Sequence, residues 1–214
     1  MLKAVLRGLA SASLAVLPLT VSTPAHAADT LSLTEAISAL PVAEESGDGY
    51  DRQAFRHWNA GASPSDGCNT RAEVLIAEAV EPKCRLTGGR WWSYNDQVWV
   101  TSASGLDIDH MGPLAEAWDS GASTWSAAQR EAYANDLGAD ASLVAVTARS
   151  NRSKSDQDPA QWLPPAAEVH CRYVAEWVGT KLRWSLSAGQ AEAVALRDVA
   201  VGCPEQTVMY EPAL

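Results

Sequence analysis

Apolar and polar positions follow two rhythms along this chain. Between Gly88 and His110 the stretch GGRWWSYNDQVWVTSASGLDIDH alternates aromatic and β-branched residues with polar ones and is broken by glycine. This predicts extended strands, the last of them Leu106 to His110. LVAVTA, residues 143–148, is a second short β-rich run suited to pair with that strand. The other rhythm is helical. Thr70-x-x-Glu73 before VLIAEAV has the form of a capping box and predicts a helix from Thr70 to Val80. Ser126-x-x-Gln129 and Ser187-x-x-Gln190 open two more, to Asp136 and Ala200. Tyr173, Val174, Trp177, Val178 and Trp184 fall on one helical face. Strands and helices do not alternate as βαβ units, so the expected class is α+β. No internal repeat and no low-complexity segment interrupts the pattern.

The N-terminus changes the picture of where the chain works. Lys3 and Arg7 precede an apolar run from Leu9 to Val21 that ends in Ala25-His26-Ala27, the pattern of a secretory signal over residues 1–27. No later segment approaches the roughly 18 to 20 apolar residues that span a bilayer, so no membrane partner is expected. Cleavage after Ala27 leaves 187 of the 214 residues, enough for one domain with a full core. Residues 28–49, with the short helix LTEAISAL and the acidic EESGDG, read as an arm and linker. The domain is expected over 50–203, with a tail over 204–214.

All four cysteines, Cys68, Cys84, Cys171 and Cys203, lie in the exported part, where disulfides are expected. Four cysteines allow three pairings. The sequential one, Cys68 with Cys84 and Cys171 with Cys203, is preferred because each bond staples a local unit. Zinc is disfavoured, since no two cysteines have C-x-x-C spacing. Sixteen basic and 26 acidic residues give a formal charge of −10, which removal of the signal's two basic residues takes to −12. A duplex-coating protein would carry a broad basic surface. A hydrolase must release its product, and its positive charge can be confined to a cleft.

The chemistry concentrates in two segments. LDIDHMGPL holds Asp109 and His110, and LVAVTARSNRSKSD delivers Asn151. A carboxylate, an imidazole and an amide oxygen suffice to hold one hard divalent cation and activate one water, which points to phosphodiester hydrolysis. Asp107 shares a strand face with Asp109 by the two-residue period and is a candidate supporting residue. Each residue also has a plainer reading. His110 alone could be a hydrogen-bonded core histidine, Asn151 an ordinary N-cap, and Arg149, Arg152 and Lys154 a solvated helix start. Glu73 is explained by capping. His57 and His170 lack acidic or cysteine neighbours at ligand spacing and read as packing or surface residues. Nine tryptophans stand against one phenylalanine; surface tryptophans can stack on bases, but Trp177 and Trp184 on an apolar face suggest core packing.

With these motifs the chain closely resembles the HNH endonucleases, ββα-metal nucleases, and within them an exported branch carrying D-I-D-H-x-x-P-L followed by N-R-S-K. TARSNRSKSD is also similar to the matching part of the HNH domain in RNA-guided nucleases. The resemblance runs from Tyr50 to Cys203 and includes GCNTRAEVL, LAEAWDSGAS and DPAQWLPP. It implies a ββα-metal core embedded in additional helices. It implies His110 as general base and Asp109 and Asn151 as ligands to a divalent cation, Mg2+ first, with Mn2+ or Ca2+ as alternatives. An imidazole with its ordinary pKa near 6.5 suits a base at neutral pH. Arg149, Arg152, Lys154 and Arg71 are then the residues that position substrate phosphates. The family's middle asparagine, which supports the loop carrying the base, has one candidate, Asn135, although counting back from Asn151 reaches Ser142. The implied activity is cleavage of DNA, before RNA, by a secreted monomer with little sequence preference. The alternatives are a catalytically inactive nucleic-acid or protein binding module on the same fold and a carboxylate-based cell-wall hydrolase. For the latter no acid/base pair is identifiable.

Overall fold

The computed structural model describes residues 29–63, 65, 67–80 and 89–213. The expected signal peptide and Cys84 lie outside the described residues. In chain order the elements are β1 (Asp29–Ser32), α1 (Leu33–Ala39), α2 (Thr70–Ala77), β2 (Trp91–Ser93), β3 (Val98–Val100), β4 (Leu106–His110), α3 (Leu114–Asp119), α4 (Ala127–Ala134), β5 (Leu143–Thr147), α5 (Ala148–Lys154), α6 (His170–Arg183), α7 (Gln190–Ala200) and β6 (Thr207–Tyr210). Among the described residues the strands form three antiparallel pairs, β1 with β6, β2 with β3 and β4 with β5. The class is α+β.

The core gathers around α6. Tyr173, Val174, Trp177 and Val178 are fully buried on its inner face and pack against α1, α7, Val144 and Val146. Burial of an aromatic of this size contributes on the order of 2–3 kcal/mol relative to exposure. A second cluster joins Phe55, Leu114, Tyr133 and Leu186, with Trp184 against it. A third, of Val74, Leu75, Trp91, Ile108 and Ala145, seats α2 on the β4–β5 hairpin.

Two sequence expectations are corrected here. Residues 28–49 were expected to be an arm and 204–214 a tail, yet β1 and β6 pair along their whole length, from Asp29 opposite Tyr210 to Ser32 opposite Thr207. Leu33, Ala36, Ile37 and Leu40 then enter the main core. An arm with this much apolar surface is stabilised by burying it. Two caps also differ. Asn69, rather than Thr70, caps α2 by accepting from the Ala72 amide at 2.9 Å, because the Thr70 hydroxyl donates to Asn135 instead. α7 starts after Gly189, whose amide donates to Glu192 at 3.0 Å, so Ser187 and Gln190 form no box. The Ser126–Gln129 box forms as expected, and Cys171 is joined to Cys203.

Candidate functional site

The site is built by a hairpin and the helix that follows it. β4 and β5 pair so that His110 lies opposite Leu143 and Leu106 opposite Thr147. Thr147 ends β5 and caps α5, its hydroxyl accepting from the Ser150 amide at 3.1 Å. α5 runs back along β4. Its seven residues rise about 10 Å, the distance covered by about three residues of strand. One turn of helix therefore matches the spacing between alternate strand residues: Asn151 falls beside Asp107 and Lys154 beside Asp109. The Asn151 Nδ2 donates to Asp107 Oδ2 at 3.4 Å, and Lys154 Nζ donates to both oxygens of Asp109 at 2.9 and 2.8 Å.

A cleft of about 320 Å³ opens at this end of the hairpin, lined by Arg52, Asp109, His110, Asn151, Arg152 and Asp156 among others. Asp109 and His110 are buried in its floor, only 4% and 7% exposed. His110 Nε2 lies 3.0 Å from the Ala134 carbonyl oxygen. A carbonyl can only accept, so Nε2 carries the proton and Nδ1 is left as the ring's lone pair. Burial holds the His110 pKa down to about 4, with the charges of Arg52, His57 and Lys154 acting in the same direction and the Ala134 bond opposing. The expectation of an ordinary imidazole pKa is thus corrected: the ring is neutral throughout the neutral range. Burial raises the Asp109 pKa, and Lys154 counters it.

The other sequence candidates fall in different places. Lys154 is fully buried, and its ammonium also donates to the carbonyls of His110 and Met111, each at 2.8 Å. Phosphate contact by Lys154 is therefore corrected; it clamps the turn that carries Asp109 and His110. Arg71 Nη2 donates to the carbonyls of Ala103 and Leu106 at 3.2 and 3.1 Å, so it braces the start of β4 rather than facing the cleft. Arg152 is exposed at the rim, with Nε 3.3 Å from Asp107, and Arg149 is exposed on α5.

Asn135 touches no reacting group, but its amide is fully used. Oδ1 accepts from the Asn59 amide at 2.9 Å and the Thr70 hydroxyl at 2.8 Å. Nδ2 donates to the carbonyls of Arg56 and Glu131 at 2.7 and 2.8 Å. It fixes the segment 56–59 from the position next to Ala134, whose carbonyl orients His110.

That segment supplies what sequence reasoning missed. Arg52 enters the cleft from a short 3-10 turn capped by Asp51. His57, read as an isolated histidine, has its ring 6.3 Å from that of His110, and the Trp58 ring is 5.6 Å from it. No local motif marks these residues; the Asn135 bonds and the packing of Phe55 on the second cluster and Trp58 on the third bring them in. One signal was available, two arginines, Arg52 and Arg56, just after an acidic stretch and leading directly into His57-Trp58-Asn59.

Residues 63–199 match the family of GmrSD restriction endonucleases, C-terminal domain, and the chain belongs to this HNH-type nuclease family. It is 38% identical over 191 residues to an uncharacterized secreted protein of Arthroderma benhamiae, covering 87% of this chain and 92% of that relative. The chain is secreted, in keeping with the Cys171–Cys203 bond. No solved structure matches it. Among the described residues no helix is long and apolar enough to cross a membrane.

Proposed function

We propose that this chain is a metal-dependent HNH endonuclease that hydrolyses phosphodiester bonds in DNA, before RNA, with little sequence preference, and that β4, β5 and α5 form its ββα-metal core. The observation that carries this reading is the tethering of His110 Nε2 to the Ala134 carbonyl, which leaves Nδ1 as a proton acceptor on a residue that shares a cleft with Asp109 and Asn151.

Asp109 and Asn151 are suited to a hard divalent cation, Mg2+ first. Both line one cleft, both offer oxygen, and the Asn151 amide is turned by its Nδ2 bond to Asp107 so that Oδ1 is its available donor. When bound, such a cation neutralises charge on the phosphate and on the leaving oxygen. The chain's own residues do the rest. His110 Nδ1 takes a proton from the attacking water as its oxygen bonds to phosphorus; the bond from phosphorus to the 3′ oxygen breaks, and that oxygen takes up a proton from solvent. The products are a 5′-phosphate and a 3′-hydroxyl. A neutral His110 at working pH keeps the acceptor ready without prior deprotonation. Arg52 and Arg152, both lining the cleft, with Arg149 one turn earlier on α5, hold substrate phosphates; Arg does this by bidentate contact.

The test is cleavage of supercoiled plasmid and of RNA by the purified protein and by His110→Ala, each with Mg2+ or EDTA. General-base catalysis contributes about 10²- to 10⁴-fold, so the variant should lose at least a hundredfold and EDTA should abolish cutting. Activity that survives both would sink the proposal. A binding module without turnover is the alternative, favoured by the Lys154 ammonium on both oxygens of Asp109; nucleic-acid binding with no cleavage under any divalent ion would select it.

A further inference from the structure

All nine tryptophans have packing partners. Trp91 and Trp177 are core, Trp118, Trp125 and Trp184 border the second cluster, and Trp162 lies against Tyr173. Trp92 and Trp99 stack on each other at 5.1 Å, with the Arg90 guanidinium over Trp99. Trp58 differs. One side of it meets the His110 ring, tilted by 36°, and it also lines a separate open cleft of about 670 Å³, together with Gln53, Arg56, His57, Asn59 and Glu131. Trp58 is the wall between that open cleft and His110.

We propose that the open cleft is a nucleobase subsite, in which an unpaired base next to the scissile phosphate stacks on Trp58. The inference rests on the nuclease reading above and extends it to the form of the substrate: the strand is single, or locally unpaired, where it is cut.

Three features of the cleft support this. Its distance fits: the Trp58 and His110 rings are 5.6 Å apart, so a base stacked about 3.4 Å beyond Trp58 lies within about three nucleotide rises of His110. A base seated on Trp58 therefore belongs to a nucleotide flanking the phosphate that His110 serves. Its chemistry fits: a tryptophan face accepts any base, and Arg56, 77% exposed at the rim and 3.6 Å from Glu131 of the same cleft, offers an exposed guanidinium beside it. Gln53 supplies an amide for a base edge. Its rigidity fits as well. Trp58 has φ +62, a left-handed conformation that bulky residues avoid. The flanking backbone is held there by the Asn135 bonds to Arg56 and Asn59 and by His57 Nδ1, which donates to the Phe55 carbonyl at 2.7 Å. The platform is preformed, so stacking costs little reordering.

The test uses the full exported protein, Mg2+, and a single-stranded oligonucleotide in which every linkage but one is a neutral methylphosphonate. Cleavage of that one bond is compared with cleavage of the same strand carrying an abasic tetrahydrofuran residue on the 5′ or the 3′ side of it. Stacking on one aromatic side chain corresponds to roughly 5- to 150-fold, so wild type should lose that factor at one of the two positions. In Trp58→Leu the intact and abasic strands should be cut at rates within about twofold of each other, and Trp58→Phe should restore part of the difference. Because each protein is compared with itself, a partly misfolded variant still gives a ratio. Loss of no activity at either abasic position in wild type, or an undiminished penalty in Trp58→Leu, would overturn the subsite. A wild-type protein that cuts no substrate at all would instead remove the nuclease reading, a different result from a cleaving enzyme indifferent to the base.

Discussion

Lys154 is the residue whose role changed most between sequence and structure. On its spacing after Asn151 it belongs with the phosphate ligands, since a helix start of Asn-Arg-x-Lys offers three polar groups to one cleft. The structure turns its side chain inward, where the ammonium has four acceptors and no solvent. Sequence shows that Lys154 sits one turn after Asn151; it does not show that α5 lies so close to β4 that the third residue of that turn is covered. Truncating one partner of a buried ion pair costs about 3–5 kcal/mol because the other charge is stranded. Lys154→Met should therefore lower the urea midpoint strongly, and adding Asp109→Asn should recover part of the loss. Equal stability of the single and double variants would mean that the pair is not coupled. Asn135→Ala leaves the Asn59 amide and the Arg56 and Glu131 carbonyls short of a partner. We expect about 1–3 kcal/mol of lost stability and a fall in kcat with little change in KM, read from steady-state cleavage and urea titration.

At the scale of elements, β4 and β5 were legible because their signal is local: a short alternating or apolar run bounded by turn residues has few other uses. Helix starts were less so. Thr70 and Ser187 have the right neighbours for a cap, but Asn69 and Gly189 precede the helices in the structure, and partners distant in sequence decided the outcome, as with Thr70 and Asn135. Glu78, which ends α2, illustrates the same dependence on distant partners. Its carboxylate accepts from the Ala145 amide of β5 at 2.9 Å, and burial, opposed by that bond, raises its pKa to about 7. A carboxyl group whose pKa is raised on folding contributes stability that is present below the unfolded value near 4.5 and is lost as pH rises through about 7. Glu192 titrates in the same window, so the comparison must isolate Glu78. Between pH 4.5 and 7.5 the melting temperature of wild type should fall more than that of Glu78→Gln; parallel curves would refute the assignment.

The whole molecule is held from both ends. The Cys171–Cys203 bond ties the start of α6 to the turn after α7 across 32 positions, and closure of a loop of that size stabilises by about 3–4 kcal/mol on the chain-entropy account. Cys171→Ala with Cys203→Ala should lower the thermal midpoint, and reductant should then have no further effect through this bond. The β1–β6 pair was not legible, because each strand has only four residues and neither carries a turn or motif that names its partner. The signal that Leu33, Ile37 and Leu40 belong to the core was there, but the acidic EESGDG behind them reads as a linker. Residue 29 waits for residue 210. While a ribosome or an export channel still holds residues 207–210, the cradle for α1 is incomplete and the main core stays open. The order in which the chain emerges thus fixes when the main core can close: not before residues 207–210 are free to pair with β1. A chain ending at residue 205 should remain sensitive to pulse proteolysis under conditions where the full chain resists.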